Sequence, residues 1–96
     1  MTCHVLLEVT VKEGCYDKLR AKFVEILPDT RSYDGCFNIY ITRDQDNPSK
    51  LCIVELWESR AHYEKYLAWR TERGDMDVLG EMMEDPTWHF LDSIGV

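Results

Sequence analysis

The segment Leu51–Trp57 constrains the fold more than any other, because it predicts a strand that is apolar on both sides. Successive side chains in a strand point to opposite faces. One side carries Cys52, Val54 and Leu56, and the other carries Leu51, Ile53 and Trp57. Helices of the same chain can cover one face of such a sheet, so we expect a second copy of the chain to cover the other and form a homodimer.

Hydrophobic periodicity predicts the remaining elements. The hydroxyl of Ser59 can accept a hydrogen bond from the first turn of a helix, which makes it a good N-cap. The predicted order is a strand over His4–Val11, a helix from Cys15 that Pro28 weakens, a strand over Cys36–Thr42, the strand Leu51–Trp57, a helix from Ser59 to Arg73, a short acidic helix over Asp75–Asp85 ended by Pro86, and a strand over Trp88–Ile94.

This order predicts one α+β domain that spans residues 1–96. A β-α-β-β-α-β chain folds as a ferredoxin-like, four-stranded antiparallel sheet with its helices on one face. The short loop between the second and third strands favours an antiparallel hairpin. The acidic residues of the short helix, among them Asp75 and Asp77, are expected to form a solvated face.

Composition excludes several classes of partner. The net charge is −7, which disfavours binding to nucleic acid and to anionic membranes. No apolar run is long enough to span a bilayer, and the first residues do not resemble a secretory signal, so we expect a cytoplasmic protein. The four scattered cysteines favour reduced thiols, and no spacing of His, Cys, Asp and Glu resembles a metal site.

Candidate site residues cluster around the end of the third strand. Glu55 shares the strand parity of Trp57, and a carboxylate in an apolar pocket would have a raised pKa and could act as a base. The alternative is a structural role, in which Glu55 pairs with an arginine such as Arg70 or with a backbone group. An exposed surface position is the simplest expectation for His62, and the alternative is that it serves as a proton shuttle near neutral pH.

Polar and aromatic residues complete the predicted pocket, in which a planar substrate would stack on aromatic walls. Asn38 or Tyr40 could bind a substrate oxygen. Trp57 and Tyr63 could hold a ring, with Tyr66 and Arg70 also near the substrate. The alternative for Trp57, Tyr63 and Tyr66 is that they belong to the core, as any helix packed on a sheet would require.

The segment Val54-Glu55-Leu56-Trp57-Glu58-Ser59, followed by Tyr63, resembles the antibiotic biosynthesis monooxygenase family, and the length and element order match it across nearly the whole chain. The resemblance implies a dimeric α/β barrel of ferredoxin-like subunits. In the branch of the family that oxidises polyketides, it implies that Trp57 and Tyr63 line the substrate pocket. This chain departs from that branch at Ile53, which stands in place of an asparagine. It also has Tyr66 where many members carry a histidine.

The resemblance implies oxidation of an aromatic or quinol-like small molecule by dioxygen, without a metal or organic cofactor. In this hypothesis Glu55, His62 and Tyr63 are the catalytic candidates, and the substrate is the small-molecule partner. Two alternatives remain open from the residues. One is a dimeric module that binds a small ligand without catalysis, and the other is an isomerase or lyase acting on a small carbonyl compound.

Overall fold

The computed structural model describes all 96 residues and contains one antiparallel sheet with three helices on one of its faces. The elements are β1 (Cys3–Val11), α1 (Tyr16–Arg31), β2 (Cys36–Arg43), β3 (Lys50–Trp57), α2 (Arg60–Glu72), α3 (Asp75–Gly80) and β4 (Met83–Leu91). The strand order is β2-β3-β1-β4. The predicted ferredoxin-like fold is confirmed, with β2 and β3 forming the expected antiparallel hairpin.

Strand alternation separates the side chains of the sheet into two sets. In β1 every second residue from Cys3 to Val11 is buried, and these side chains face the helices. In β3 the buried set is Leu51, Ile53, Glu55 and Trp57. Helix α1 covers this face with the stripe Leu19, Phe23, Ile26 and Leu27, because residues three and four apart lie on one side of a helix. The core therefore lies between the sheet and the helices.

Helix α2 begins and ends where the sequence predicts. The Ser59 hydroxyl accepts a hydrogen bond from the backbone N–H of His62 at 3.1 Å, so Ser59 is the N-cap. Gly74 follows the helix with a φ of 85°, a left-handed conformation that glycine adopts without a steric penalty.

The predicted boundary between the third helix and the last strand is wrong. Helix α3 ends at Gly80, and β4 already begins at Met83 and ends at Leu91, so Pro86 lies inside a strand. An edge strand tolerates proline because its outer N–H groups need no partner. The pairing of β4 with β1 also shifts register between Glu8 and Thr10, beside Asp85 with its φ of 54°. This irregularity conceals the strand in the sequence.

The sheet face opposite the helices, which we call the uncovered face, is partly apolar. The register brings Leu6, Tyr40, Val54, Leu56 and Leu91 to this side. Among them Tyr40 is 60% exposed, Leu91 47% and Val54 41%. Such a face is typical of a surface that binds another protein. No helix of the chain has the length and apolar character needed to cross a membrane.

Candidate functional site

Glu55 is a buried carboxyl group on the helix side of β3. Glu55 is 3% exposed, and its neighbours across the sheet are Val5 in β1 and Ile39 in β2, both buried. The only side chain that donates a hydrogen bond to it is Trp57, whose Nε1–H lies 3.0 Å from Oε1. Burial in these apolar surroundings raises the pKa of Glu55 to about 7, against a weaker opposite effect of the Trp57 hydrogen bond.

An aromatic cluster surrounds this carboxyl group. Trp57 is completely buried, and its ring centroid lies 4.9 Å from that of Tyr66 and 5.6 Å from that of Tyr63. Tyr33 extends the cluster, with its centroid 5.3 Å from that of Tyr66. Tilted and edge-on aromatic pairs at these distances stabilise a rigid wall. Trp57, Tyr63 and Tyr66 therefore belong to the core of the domain, and Trp57 is the ring that bonds to Glu55.

Tyr63 receives a hydrogen bond that the sequence did not suggest. The Nε1–H of Trp88, on β4, donates to the Tyr63 hydroxyl at 2.8 Å. Burial raises the pKa of Tyr63, and the nearby Glu55 carboxyl raises it further, so the phenol stays protonated at neutral pH. Trp88 and Phe90 share the helix side of β4. Both lie in the strand predicted over Trp88–Ile94, but alternation alone did not indicate which of its sides faces the helices.

Arg70 lies in the same interior but does not pair with Glu55. Its guanidinium donates to Asp75 Oδ2 at 2.9 Å, to the Ile26 carbonyl at 2.7 Å and to Thr30 Oγ1 at 2.9 Å. Its Nε donates to the Tyr66 hydroxyl at 3.1 Å. The structural ion pair of Arg70 is therefore made with Asp75. Asp75 is buried, which corrects the prediction that it belongs to a solvated acidic face.

A small cavity of about 50 Å³ lies beside Glu55. Glu55, Tyr63 and Tyr66 line it together with Phe23 and with aliphatic and methionine side chains, including Leu67, Met76, Leu79 and Met83. The volume accommodates a water-sized molecule but is far below the roughly 300 Å³ at which small-ligand pockets begin. Glu55 is the only charged residue that lines it.

The structure separates three predicted site residues from this cavity. Asn38 and Tyr40 lie opposite Leu56 and Val54 in the β2–β3 register, so they belong to the uncovered face. His62 lies at the start of α2, where its ring bonds Ser59 Oγ at 2.6 Å and Glu58 Oε2 at 3.1 Å. The expectation that these residues share a pocket with Trp57 is therefore not met.

His62 packs directly on the turn before β2. A Cβ at Gly35 would lie 2.6 Å from the His62 ring, and Gly35 has a φ of 88°, so this position needs glycine. The chain contains no group of three or more His, Cys, Asp or Glu side chains arranged to hold a metal ion. The group that can exchange a proton at the cavity is Glu55, which lies beside the phenols of Tyr63 and Tyr66 and the indole of Trp57.

Comparison with known proteins gives the family. Residues 2–71 match the family described as antibiotic biosynthesis monooxygenase. No curated protein sequence matches the chain.

Solved structures share the fold at low sequence identity. A conserved protein from Methanosarcina mazei Go1 has a TM-score of 0.86 at 14% identity, covering 95% of this chain and 91% of its own. A protein from Shewanella oneidensis has a TM-score of 0.80 at 22% identity, covering 94% and 88%.

A mutant of SnoaB, a cofactor-independent oxygenase from Streptomyces nogalater, has a TM-score of 0.84 at 12% identity, covering 99% and 95%. These likenesses establish the fold, and the match over residues 2–71 establishes the family. This chain belongs to the antibiotic biosynthesis monooxygenase family.

Proposed function

We propose that this protein is a cofactor-independent monooxygenase that oxidises a phenolic or quinol-like small molecule with dioxygen. The observation that carries the proposal is Glu55, a carboxyl group buried among aromatic rings with a pKa raised to about 7 and no cationic partner. A base is most effective when its pKa lies near the working pH. The family and the activity named for SnoaB support the same reaction class.

The reaction balances without an external reductant. Glu55 takes the proton of the phenolic O–H, and a ring carbon ortho or para to that oxygen that carries a hydrogen forms a C–O bond with dioxygen. The resulting peroxide receives the proton back from Glu55. Its O–O bond then breaks as water leaves with the hydrogen of that carbon, which becomes a carbonyl. One oxygen atom enters the quinone, the other enters water, and the phenol supplies all four electrons.

The substrate needs more room than the cavity of about 50 Å³ provides. The side chains that line this cavity include Met76, on the short helix α3, and Met83, at the start of β4. Methionine has three rotatable bonds and repacks around guests of different shape. We therefore infer that a substrate ring enters by displacing these methionines, while Tyr63 and Tyr66 remain as the fixed walls and Trp57 stays bonded to Glu55.

Oxygen consumption tests the proposal. With a panel of phenols and hydroquinones, we expect at least one substrate to be oxidised above the uncatalysed rate. Glu55→Gln should lower the rate by about 10²- to 10⁴-fold, the usual contribution of a general base. Glu72→Gln is the matched control, because Glu72 is exposed at the end of α2. No turnover with any compound, or equal turnover by Glu55→Gln, would contradict the proposal and favour a ligand-binding module.

The small volume favours one alternative, an isomerase or lyase acting on a small carbonyl compound. The same Glu55 would then remove a proton from carbon next to the carbonyl group. The two functions differ in one readout. The alternative predicts that Glu55-dependent exchange of substrate hydrogen with deuterated water occurs while no oxygen is consumed.

We also propose that two copies associate through their uncovered faces, as the exposed Val54, Tyr40 and Leu91 suggest. Val54→Asp should then shift the sedimentation coefficient from that of a dimer to that of a monomer. Val78→Asp is the control, because Val78 is 40% exposed on α3 and Val54 is 41% exposed. A wild-type monomer at micromolar concentration would rule out this assembly.

The free thiols of all four cysteines fit a reducing cytoplasm, which we propose as the location of the protein.

A further inference from the structure

A second concave site lies outside the interior, between α1 and the edge strand β2. This groove has a volume of about 320 Å³, within the usual range for small-molecule pockets. Phe23, Leu27 and Leu51, all buried, contribute to its apolar lining, and Tyr16 adds a half-buried aromatic ring. The groove is therefore large enough for a flat organic molecule, whereas the cavity beside Glu55 is not.

The charge of this groove is opposite to that of the protein. The chain has a net charge of −7 and contains 18 acidic residues, yet none of them lines the groove. Three of the six arginines do, namely Arg20, Arg31 and Arg43. A concentration of one sign of charge in a concave surface raises the local concentration of ligands of the other sign.

These three arginines have no carboxylate partner. The other three arginines each form an ion pair: Arg60 with Glu64, and Arg70 and Arg73 with Asp75. In the groove, Arg31 donates only to the Ile39 carbonyl at 3.3 Å, and Arg43 donates from Nε to the Pro48 carbonyl at 2.7 Å. Most of their N–H groups are therefore free for a ligand.

Arg43 is also held in place for recognition. Its guanidinium carbon lies 4.0 Å from the centroid of the Tyr16 ring, a cation–π contact, and the Pro48 carbonyl fixes its Nε. A stacked guanidinium presents its remaining donors in a fixed plane, which matches the geometry of a carboxylate. The groove thus combines an apolar lining, an aromatic ring and oriented donors.

We propose that the groove between α1 and β2 binds an organic carboxylate with a flat apolar body. The body lies over Phe23, Leu27 and Tyr16, and the carboxylate bonds to Arg43 and Arg31. This site is independent of the function proposed for Glu55. The groove and the cavity beside Glu55 share the core side chains Phe23 and Leu27. The three arginines line only the groove, and Glu55 lines only the cavity.

Titration calorimetry with 2-naphthoate tests the site, using uncharged 2-naphthalenemethanol and inorganic phosphate as comparison probes. We expect naphthoate to bind at least about tenfold more tightly than either probe, because one charge-assisted hydrogen bond contributes a binding free energy of this size. Its affinity should fall as salt is added, because salt screens the attraction between the carboxylate and the arginines. In amide NMR spectra, the signals of Val24 and Thr42 should shift, while that of Tyr63 should not.

Arg43→Gln and Arg31→Gln should each weaken naphthoate binding about tenfold, without changing the affinity for the alcohol. Lys65→Gln is the matched control, because it removes the same charge from an exposed position on α2. The proposal is overturned if the alcohol or phosphate binds as well as naphthoate, or if Lys65→Gln has the same effect as the arginine variants. Absence of naphthoate binding also overturns it, and leaves Arg43 as a charged residue that protects the exposed edge of β2.

Discussion

Arg70 and Glu55 are both buried in the interior of this protein, and their surroundings differ. Arg70 is 1% exposed, and its donors contact Asp75, Thr30, Tyr66 and the Ile26 carbonyl. Glu55 is 3% exposed and has one hydrogen-bond donor, the indole of Trp57. A buried charge with a full set of partners stabilises one conformation. A buried acid with one partner holds a proton that it can exchange near neutral pH.

Tyr66 lies between these two centres. Its hydroxyl shares a hydrogen bond with Thr30 at 2.8 Å and accepts one from Arg70, so it belongs chemically to the Arg70 network. Its ring packs on Trp57 and lines the cavity beside Glu55. The network thus holds one wall of the candidate site in position, which is why a structural ion pair matters for a site that it does not contact.

The largest effect is expected from Arg70→Met. The substitution leaves Asp75 buried without its main partner, and loss of one member of a buried pair costs about 3–5 kcal/mol in the free energy of unfolding. Urea denaturation monitored by tryptophan fluorescence measures it. Arg73→Met is the control, because Arg73 also contacts Asp75, at 3.2 Å, but its side chain is 52% exposed. We expect it to cost about 1 kcal/mol or less. Equal losses would show that Arg70 is not the main partner of Asp75.

The second prediction concerns the pH dependence of stability. The pKa of Glu55 rises from 4.5 to about 7 on folding, so the folded state keeps a proton that the unfolded state releases. The contribution of Glu55 is fully present below pH 4.5. As the pH rises from 4.5 to about 7, the free energy of unfolding loses this contribution, which is about 3 kcal/mol in total. In Glu55→Gln this loss is absent, so its unfolding free energy relative to the wild type should increase between pH 4.5 and pH 8. Parallel curves for the two proteins would show that Glu55 ionises normally.

The smallest effect is expected from Tyr66→Phe. It removes one hydroxyl from the Arg70 network and keeps the ring that lines the cavity, so we expect a loss of about 1–2 kcal/mol. The titration of Glu55 should stay near pH 7, because burial is the main cause of its shift. Carbon-13 NMR of labelled glutamate follows that titration directly. A large change in the Glu55 pKa would mean that the two centres are coupled rather than adjacent.

Part of the candidate site could be predicted from strand parity. The alternation in β3 correctly placed Glu55 on the same side as Trp57, and helical spacing placed Tyr63 and Tyr66 on the helix face that meets the sheet. Parity failed in β2, where we expected Asn38 and Tyr40 in the pocket. Both faces of the sheet carry apolar residues, and a register shift follows Cys36, so alternation alone could not say which set faces the helices.

The strand β4 shows a different limit. Its segment contains acidic residues and Pro86, which locally favour a helix end and a turn. Pairing with β1 overrides this preference, because an edge strand needs hydrogen bonds on one side only. Trp88 therefore reaches Tyr63, a contact between residues 25 positions apart that no local pattern encodes.

By itself, the order of the residues determined the periodicities, and with them the element order, the fold and the side of β3 on which Glu55 lies. Only the tertiary structure decided that Arg70 pairs with Asp75, that Glu55 lacks a cationic partner, and that three arginines meet beside α1. Periodicity is a local property of the backbone. The pairing and the pKa of a charged group depend instead on distances and burial, which arise when distant segments pack together.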